Sequence, residues 1–265
     1  MKHTLIIIAL VILTSCNKHE KVLYEDLTPA EFSARLKKCP VAYLPLGTLE
    51  WHGEHLPLGA DGLQSQGFFK KLALEAGGIV MPMLFMGPDP TDTIINGREY
   101  YGMDCGKFIS KQCTYEIQQL AGSAYWLADS TFDILINGTL NQLSRAGFRI
   151  VVAHGHGPST GFLRSHTQEY KDKYNLTVLN CWGNDSADLC LQCDHAAANE
   201  TSIMMYLHPE LVHMGNLSAD KAIWPLGIMG RDPRIHASSK HGKAIIDFEV
   251  KKMKAIIANE LETLR

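Results

Sequence analysis

The chain has 265 residues, of which 46% are hydrophobic and 20% charged, with 22 Gly and 11 Pro. This balance is globular and excludes a disordered, collagen-like or low-complexity chain. The length suits one large domain or two small ones, with a core that needs no disulfides. A formal net charge of −3 argues against a nucleic-acid binder, which shows a basic face, and no run reaches the roughly 18 apolar residues of a membrane span.

Lys2 and His3 give the N-terminus a short basic start, and Leu5 to Leu13 is a continuous apolar run of signal-peptide length. Leu13-Thr14-Ser15-Cys16 then resembles the lipobox of bacterial lipoproteins, in which the Cys is acylated. The reading is a signal peptide over 1–15, a lipid on Cys16, a tether over 16–30 and a folded domain over 31–265. It implies export and a lipid anchor on a bacterial membrane, on the periplasmic or cell-surface side. A plain secretory signal or an uncleaved anchor are the other readings.

Along the rest of the chain, short apolar runs alternate with amphipathic stretches. Strands are predicted at Val41–Leu46, at Ile79–Leu84 (weakened by Pro82), at Phe148–Ala153 and at Leu176–Cys181. Helices are predicted over Gly62–Ala76, Phe108–Ala128, Phe132–Ala146, Ser159–Tyr174, Ala196–Leu207 and Lys240–Leu264. Gly87–Asp104, rich in Gly, Pro and Asp, reads as a loop. The alternation argues an α/β fold, three αβα layers around a mainly parallel sheet.

In such sheets ligands bind beyond the carboxyl ends of the strands. The segments that follow three predicted strands, 47–61, 154–159 and 182–195, hold five of the twelve His: His52, His55, His154, His156 and His195. A metal or acid/base site at the sheet edge is the natural reading.

The first segment runs Leu46-Gly47-Thr48-Leu49-Glu50-Trp51-His52-Gly53-Glu54-His55-Leu56-Pro57-Leu58-Gly59-Ala60-Asp61. Glu50 and His52 are two apart, so in extended backbone they point the same way. A Gly/Pro-rich turn can bring Asp61 back to them. Carboxylate with imidazole suits Zn, Mn or Fe rather than a thiolate-preferring ion. The second segment is His154-Gly155-His156-Gly157-Pro158-Ser159, whose glycines let backbone approach a site. The third, Asp194-His195-Ala196-Ala197-Ala198-Asn199-Glu200-Thr201-Ser202, puts a His before a small-residue helix that carries Glu200. A helix start lowers the pKa of a nearby imidazole. Trp51 and Trp182 flank these motifs as apolar wall or core, and Glu54 and His55 are expected behind the ligands. Asp194 reads equally as a partner of His195 or as a helix cap. Apart from Cys16, the cysteines are Cys39, Cys105, Cys113, Cys181, Cys190 and Cys193. Cys190-x-x-Cys193 is a lone pair, read as a disulfide or two thiols ahead of half a zinc site or a redox motif.

Taken in order, the three segments resemble the creatininase (creatinine amidohydrolase) family over about residues 40–207. The first matches its Glu-x-His-Gly-x-His-Leu-Pro-Leu-x-x-Asp pattern. The others correspond to its Asn-Gly-His-Gly-Gly-Asn and His-Ala-Gly-x-x-Glu-Thr-Ser. The resemblance implies two divalent ions per chain, with Glu50 and His156 on one, His52 on the other and Asp61 bridging both. His195 corresponds to the family's catalytic His. The family's further carboxylate ligand falls at Pro158 here, and Glu200 is the candidate replacement. His154 and Ser159 stand where the family has Asn, Ala197 where it has Gly. The family's Gly-x-x-x-x-His and Pro-Gly-Thr stretch is absent, so substrate contacts over 85–130 differ. The implied function is a metal-dependent amidohydrolase that cleaves a non-peptide or cyclic amide C–N bond in a small molecule. The alternative is a surface-anchored binding lipoprotein that keeps the fold without catalysis. The family also implies a homo-oligomer.

Overall fold

The computed structural model describes residues 20–108, 115–181 and 189–264. The chain enters through α1 (Pro29–Lys38), started by a capping box in which Thr28 and Glu31 satisfy each other's backbone N–H. Strand β1 (Val41–Leu46) and helix α2 (Ala60–Ala76) follow, then short strands β2 (Ile79–Val80) and β3 (Gly87–Pro88). Strands β4 (Asp92–Ile95) and β5 (Arg98–Tyr101) form an antiparallel hairpin, and β6 (Trp126–Leu127) pairs in parallel with β3. The second half runs α3 (Asp129–Ala146), β7 (Ile150–Gly155), α4 (Gly157–Ser165), α5 (Thr167–Tyr174), β8 (Thr177–Asn180), α6 (Ala198–Leu207), α7 (Pro233–His236) and α8 (Ser239–Thr263).

Four parallel strands, in the order β2-β1-β7-β8, make the central sheet. Side chains alternate across it with the period of two that a strand imposes. Val41, Tyr43, Val80, Ile150 and Val152 face one layer, built from Phe68, Phe69 and Leu72 of α2, Ile203 of α6, and Ile245, Ile246 and Met253 of α8. Ala42, Leu44, Val151 and Ala153 face the other, built from Phe132, Ile136 and Leu140 of α3, Leu163 of α4 and Tyr170 of α5, with Phe32 and Leu36 of α1 at its edge. The fold is therefore the expected three-layer αβα arrangement. Among the described residues no helix is long and apolar enough to cross a membrane.

One topological feature places the site. The chain leaving β1 goes to β2 on one side, and the chain leaving β7 goes to β8 on the other. The two connections diverge from neighbouring strands, and a crevice opens between them. Gly155 closes the pair: it adopts φ +135°, and a Cβ there would sit 1.4 Å from the Leu46 carbonyl oxygen. The next residue, His156, donates its N–H to that same oxygen at 2.9 Å.

Several expected elements differ. The strand expected over Ile79–Leu84 is only two residues long, Pro82 interrupting it before an isolated bridge between Leu46 and Leu84. The loop expected over Gly87–Asp104 contains the β4–β5 hairpin, turned by Asn96 and Gly97 at φ 53° and 77°. The helix expected over Phe108–Ala128 does not form in its described part. Asp104 instead accepts N–H groups from Gln118 and Leu120, and Gly122 and Tyr125 adopt positive φ. The helix expected over Ser159–Tyr174 breaks at His166, where φ −115° and ψ 14° leave helical values and the ring stacks on Phe162. The tether expected to residue 30 ends earlier: Val22 is buried and accepts the N–H of Val80.

Candidate metal centre

The loop after β1 doubles back because Glu50 N–H donates to the Leu58 carbonyl at 3.1 Å. That closure sets Glu50 and His52 against the first turn of α2, which carries Asp61. His156 arrives from the end of β7 and Glu200 from the first turn of α6. Residues far apart in sequence thus meet at the crevice between β1 and β7.

The five expected ligands converge, none of them more than 7% exposed. Asp61 Oδ1 lies 3.3 Å from His52 Nε2, and its Oδ2 lies 3.2 Å from His156 Nδ1. Glu50 Oε1 is 3.1 Å from His156 Nδ1 and 3.9 Å from His52 Nε2, while Glu200 Oε2 is 3.9 Å from His52 Nε2. Two triads result, Glu50–Asp61–His156 and His52–Asp61–Glu200, and Asp61 belongs to both. A third grouping joins Glu50 and His52 to His195.

The far side of each imidazole is tied to backbone. His156 Nε2–H donates to the Pro88 carbonyl at 3.1 Å, and His52 Nδ1–H donates to the Glu50 carbonyl at 3.3 Å. Carbonyl acceptors set these tautomers and leave the other nitrogen of each ring, with its lone pair, for the centre. This is how metal-ligating histidines are oriented.

Charge tells the same story. Burial raises the Glu50 carboxyl above its ordinary range and the Glu200 carboxyl well above it. Burial alone would lower His52, yet the Asp61 carboxylate, then Glu200 and Glu50, lift it to about 10. His156 is raised well above its usual value against burial, chiefly by Glu50. Asp61 is held well below the usual range against burial, chiefly by His52. Among the described residues no Lys or Arg forms an ion pair with any of the three carboxylates. Buried anions need pairing or metal, and three carboxylates with two oriented imidazoles fit a pair of divalent cations.

His195 stands at the edge of this set. Its backbone N–H and C=O pair with Met229, its Nε2–H donates to the Trp51 carbonyl at 2.8 Å, and its ring lies 4.4 Å from the His52 ring. Its pKa is lowered to about 3, by burial first and the His52 charge second. Asp194 is a helix cap: its oxygens accept the N–H groups of Asn199 and Glu200, at 2.8 and 3.1 Å. Glu200 is aimed by a 2.6 Å bond from Ala196 N–H, whose φ is +50°.

The remaining expected neighbours sort cleanly. Glu54 is exposed, and His55 is buried with Nε2 on the Thr201 hydroxyl at 2.8 Å. Trp51 packs against Met103 and Leu120 and serves the site through its carbonyl. Pro158 offers no ligand atom, and Glu200 joins His52 and Asp61 instead. His154 packs edge-on to Phe68 and Phe69. Trp182, Cys16 and Cys113 lie outside the described residues.

A cavity of about 620 Å³ opens over the centre. Glu50, Asp61, His156, His195 and Glu200 line its floor, with Asp89, Thr91, Met103 and Met229 around it. Asp89 and the Pro88 carbonyl were not singled out from sequence. Asp89-Pro90-Thr91-Asp92 sits in the Gly/Pro/Asp-rich stretch, and Asp89 takes the Thr91 N–H at 2.8 Å to form a local turn.

The family model described as creatininase, creatinine amidohydrolase, matches residues 25–97 and 112–257. The chain belongs to the creatininase family. A creatinine amidohydrolase from Pseudomonas putida is 24% identical over 217 residues, which cover 74% of this chain and 75% of that one. A mycofactocin precursor peptide peptidase from Mycobacterium ulcerans (strain Agy99) is 26% identical over 187 residues, 69% of this chain and 64% of the peptidase. Among solved creatininases, a creatinine amidohydrolase crystal structure superposes with TM-score 0.68 at 22% identity, covering 90% of this chain and 97% of that one. A structure described as creatininase Mn gives TM-score 0.66 at 24% identity, covering 91% and 99%. A creatininase variant described as Zn–Zn type gives 0.67 at 23%, covering 91% and 98%. These likenesses establish the creatininase fold for the whole αβα unit.

Proposed function

We propose that this creatininase-family hydrolase uses a pair of divalent cations, Zn, Mn or Fe, to cleave a non-peptide or cyclic amide C–N bond in a small molecule. One observation carries the reading. The two oxygens of Asp61 face different imidazoles, so one carboxylate joins two ligand triads. The creatinine amidohydrolase relative supports the bond class, and the peptidase relative makes a peptide amide the competing substrate.

The cations supply a Lewis-acidic site and lower the pKa of water towards neutrality. The chain's own residues do the rest. Glu50, Asp61 and Glu200 supply the anionic oxygens, and the Pro88 and Glu50 carbonyls fix the rings of His156 and His52. His195 keeps its Nε2–H on Trp51, so a proton it moves travels through Nδ1. With its pKa lowered the ring is neutral near pH 7, so we assign Nδ1 a relay: it takes a proton from the attacking water and passes it to the departing nitrogen. Met103 and Met229 add apolar surface to the cavity wall beside the bond.

Elemental analysis of the chain without residues 1–16 tests the reading first, with two ions per chain expected. An amide panel with and without chelator follows. Chelator should abolish hydrolysis and added metal restore it, and His195→Ala should lower turnover by about 10²–10⁴-fold with metal content retained. Protein that binds no divalent ion after metal supplementation would overturn it. The second reading, a surface-anchored binding lipoprotein, rests on Pro158 and Ser159 and predicts ligand binding with no turnover on any amide. We further propose export and anchoring through Cys16, supported by the basic, apolar, Cys order of residues 2–16.

A further inference from the structure

Cys193 lines the cavity, Cys190 lies three residues before it, and neither plays a part in the chemistry above. Cys190 is 4% exposed, whereas Cys193 is exposed and lines the cavity wall. The Asn199 amide clamps the turn between them, donating to Cys193 Sγ at 3.2 Å and to the Cys190 carbonyl at 3.4 Å. The same amide's oxygen is held by His241 Nε2 at 3.0 Å and by Arg231. Both thiols are therefore preplaced, one open to solvent and one behind it.

We infer that Cys190 and Cys193 are a thiol–disulfide modification site, in which the exposed Cys193 meets an external disulfide and the buried Cys190 resolves it. The balance is simple. The Cys193 thiolate attacks one sulfur of oxidised glutathione, a mixed disulfide forms, and one glutathione leaves and takes up the proton that Cys193 lost. The Cys190 thiolate then attacks the Cys193 sulfur, the bond to glutathione breaks, and the second glutathione leaves with the proton from Cys190. Two protein thiols lose two electrons and two protons, and one external disulfide gains them. Exposure sets the order of the two steps: Cys193 is open to solvent and the cavity, and Cys190 is buried behind it.

The pair sits directly before the residues that build one side of the centre. Cys193 precedes Asp194, whose carboxylate holds the first N–H groups of α6, and Glu200 rides on that turn. Oxidation ties the 190–193 turn and so stiffens the cap under Glu200. None of this depends on whether the centre hydrolyses amides.

The metal-supplemented full chain is equilibrated in glutathione buffers of increasing oxidised fraction, quenched with a maleimide, digested and weighed. The expected result is a peptide spanning 190 and 193 that has lost two hydrogens and both maleimide adducts, appearing over one transition. In Cys190→Ser, Cys193 should instead accumulate as a mixed disulfide with glutathione. In Cys193→Ser, Cys190 should stay reduced and carry no glutathione. Hydrogen exchange of the Asn199 and Glu200 amides should slow on oxidation. Both cysteines staying reduced across the series, Cys190 pairing with a third cysteine, or no glutathione on Cys190→Ser would overturn the inference. Unchanged exchange at 199 and 200 would overturn its coupling to α6.

Discussion

A carboxylate whose two oxygens face two imidazoles makes a sharp demand on the side chain at residue 61. Asn at that position keeps one carbonyl oxygen but turns an NH₂ towards one of the rings. Asp61→Asn should reduce bound metal from two ions per chain to below one and lower turnover at least about 100-fold, as elemental analysis and an activity assay will read. Glu200→Gln should differ, since it spares the Glu50–Asp61–His156 triad and costs one ion only. A second single-residue case is His154, whose ring packs on Phe68 and Phe69 with neither nitrogen hydrogen-bonded. Burial lowers its pKa from 6.5 to about 4. The unfolded chain therefore takes up a proton near pH 6.5 that the folded chain refuses until about 4. Stability from this group is complete above pH 6.5 and falls by about 3 kcal/mol as pH drops through that window. His154→Leu should be within about 1 kcal/mol of the parent at neutral pH and show a flatter acid limb, measured by denaturant unfolding at pH 7 and pH 4.5. The ligand residues were legible because a run of Glu, His and Asp in fixed spacing has few structural uses. Asp89 was not, since an isolated Asp beside Pro reads first as a turn.

Secondary-structure elements were legible wherever local pattern and tertiary packing agree, as in β1, β7, α2, α3 and α8. They were misread where one tertiary bond outweighs periodicity. Phe108–Ala128 has helical spacing, but Asp104 captures Gln118 and Leu120 N–H groups and holds part of that stretch against Met103 and Trp51. The β4–β5 hairpin was missed although Asn96-Gly97 is the dipeptide a two-residue turn with positive φ requires. At helix α6 the reading left two roles for Asp194, and the structure selects the cap. Its carboxyl is raised to about 6, first by burial, and is stabilised by two backbone N–H groups. Asp194→Ala should therefore cost about 1–2 kcal/mol in unfolding free energy, and weaken metal binding roughly 10–100-fold because Glu200 loses its support. Asp194→Asn, which keeps one accepting oxygen and turns an NH₂ towards the other N–H, should recover only part of the stability. Calorimetry beside metal titration separates the two effects, and loss of stability with unchanged metal affinity would show that the cap does not position Glu200.

At the scale of the whole molecule, the αβα layers followed from alternation alone. The divergence of the β1 and β7 connections did not, because strand order is set by packing that no local pattern records. Outside the domain, the proposed anchor predicts that detergent is needed to extract the full-length protein and that Cys16→Ala is released in soluble form, with fractionation and intact mass as the readout. Inside it, the centre should hold the fold together. Without cations, three buried carboxylates are balanced only by protons on themselves and on His52 and His156. Metal and protons thus compete, and apparent metal affinity should rise with pH. At free metal roughly 100 times Kd, each bound ion adds about 2.7 kcal/mol. A chain of this size shifts about 2–4 °C per kcal/mol. Chelation should therefore lower the melting temperature by roughly 10–20 °C at pH 8. The gap between loaded and chelated protein should narrow at pH 5, where protons already occupy the imidazoles and raised carboxyls. A melting temperature that chelator leaves unmoved at both pH values would remove the cations from the centre, and the carboxylate–imidazole cluster would then be a buried proton-sharing network.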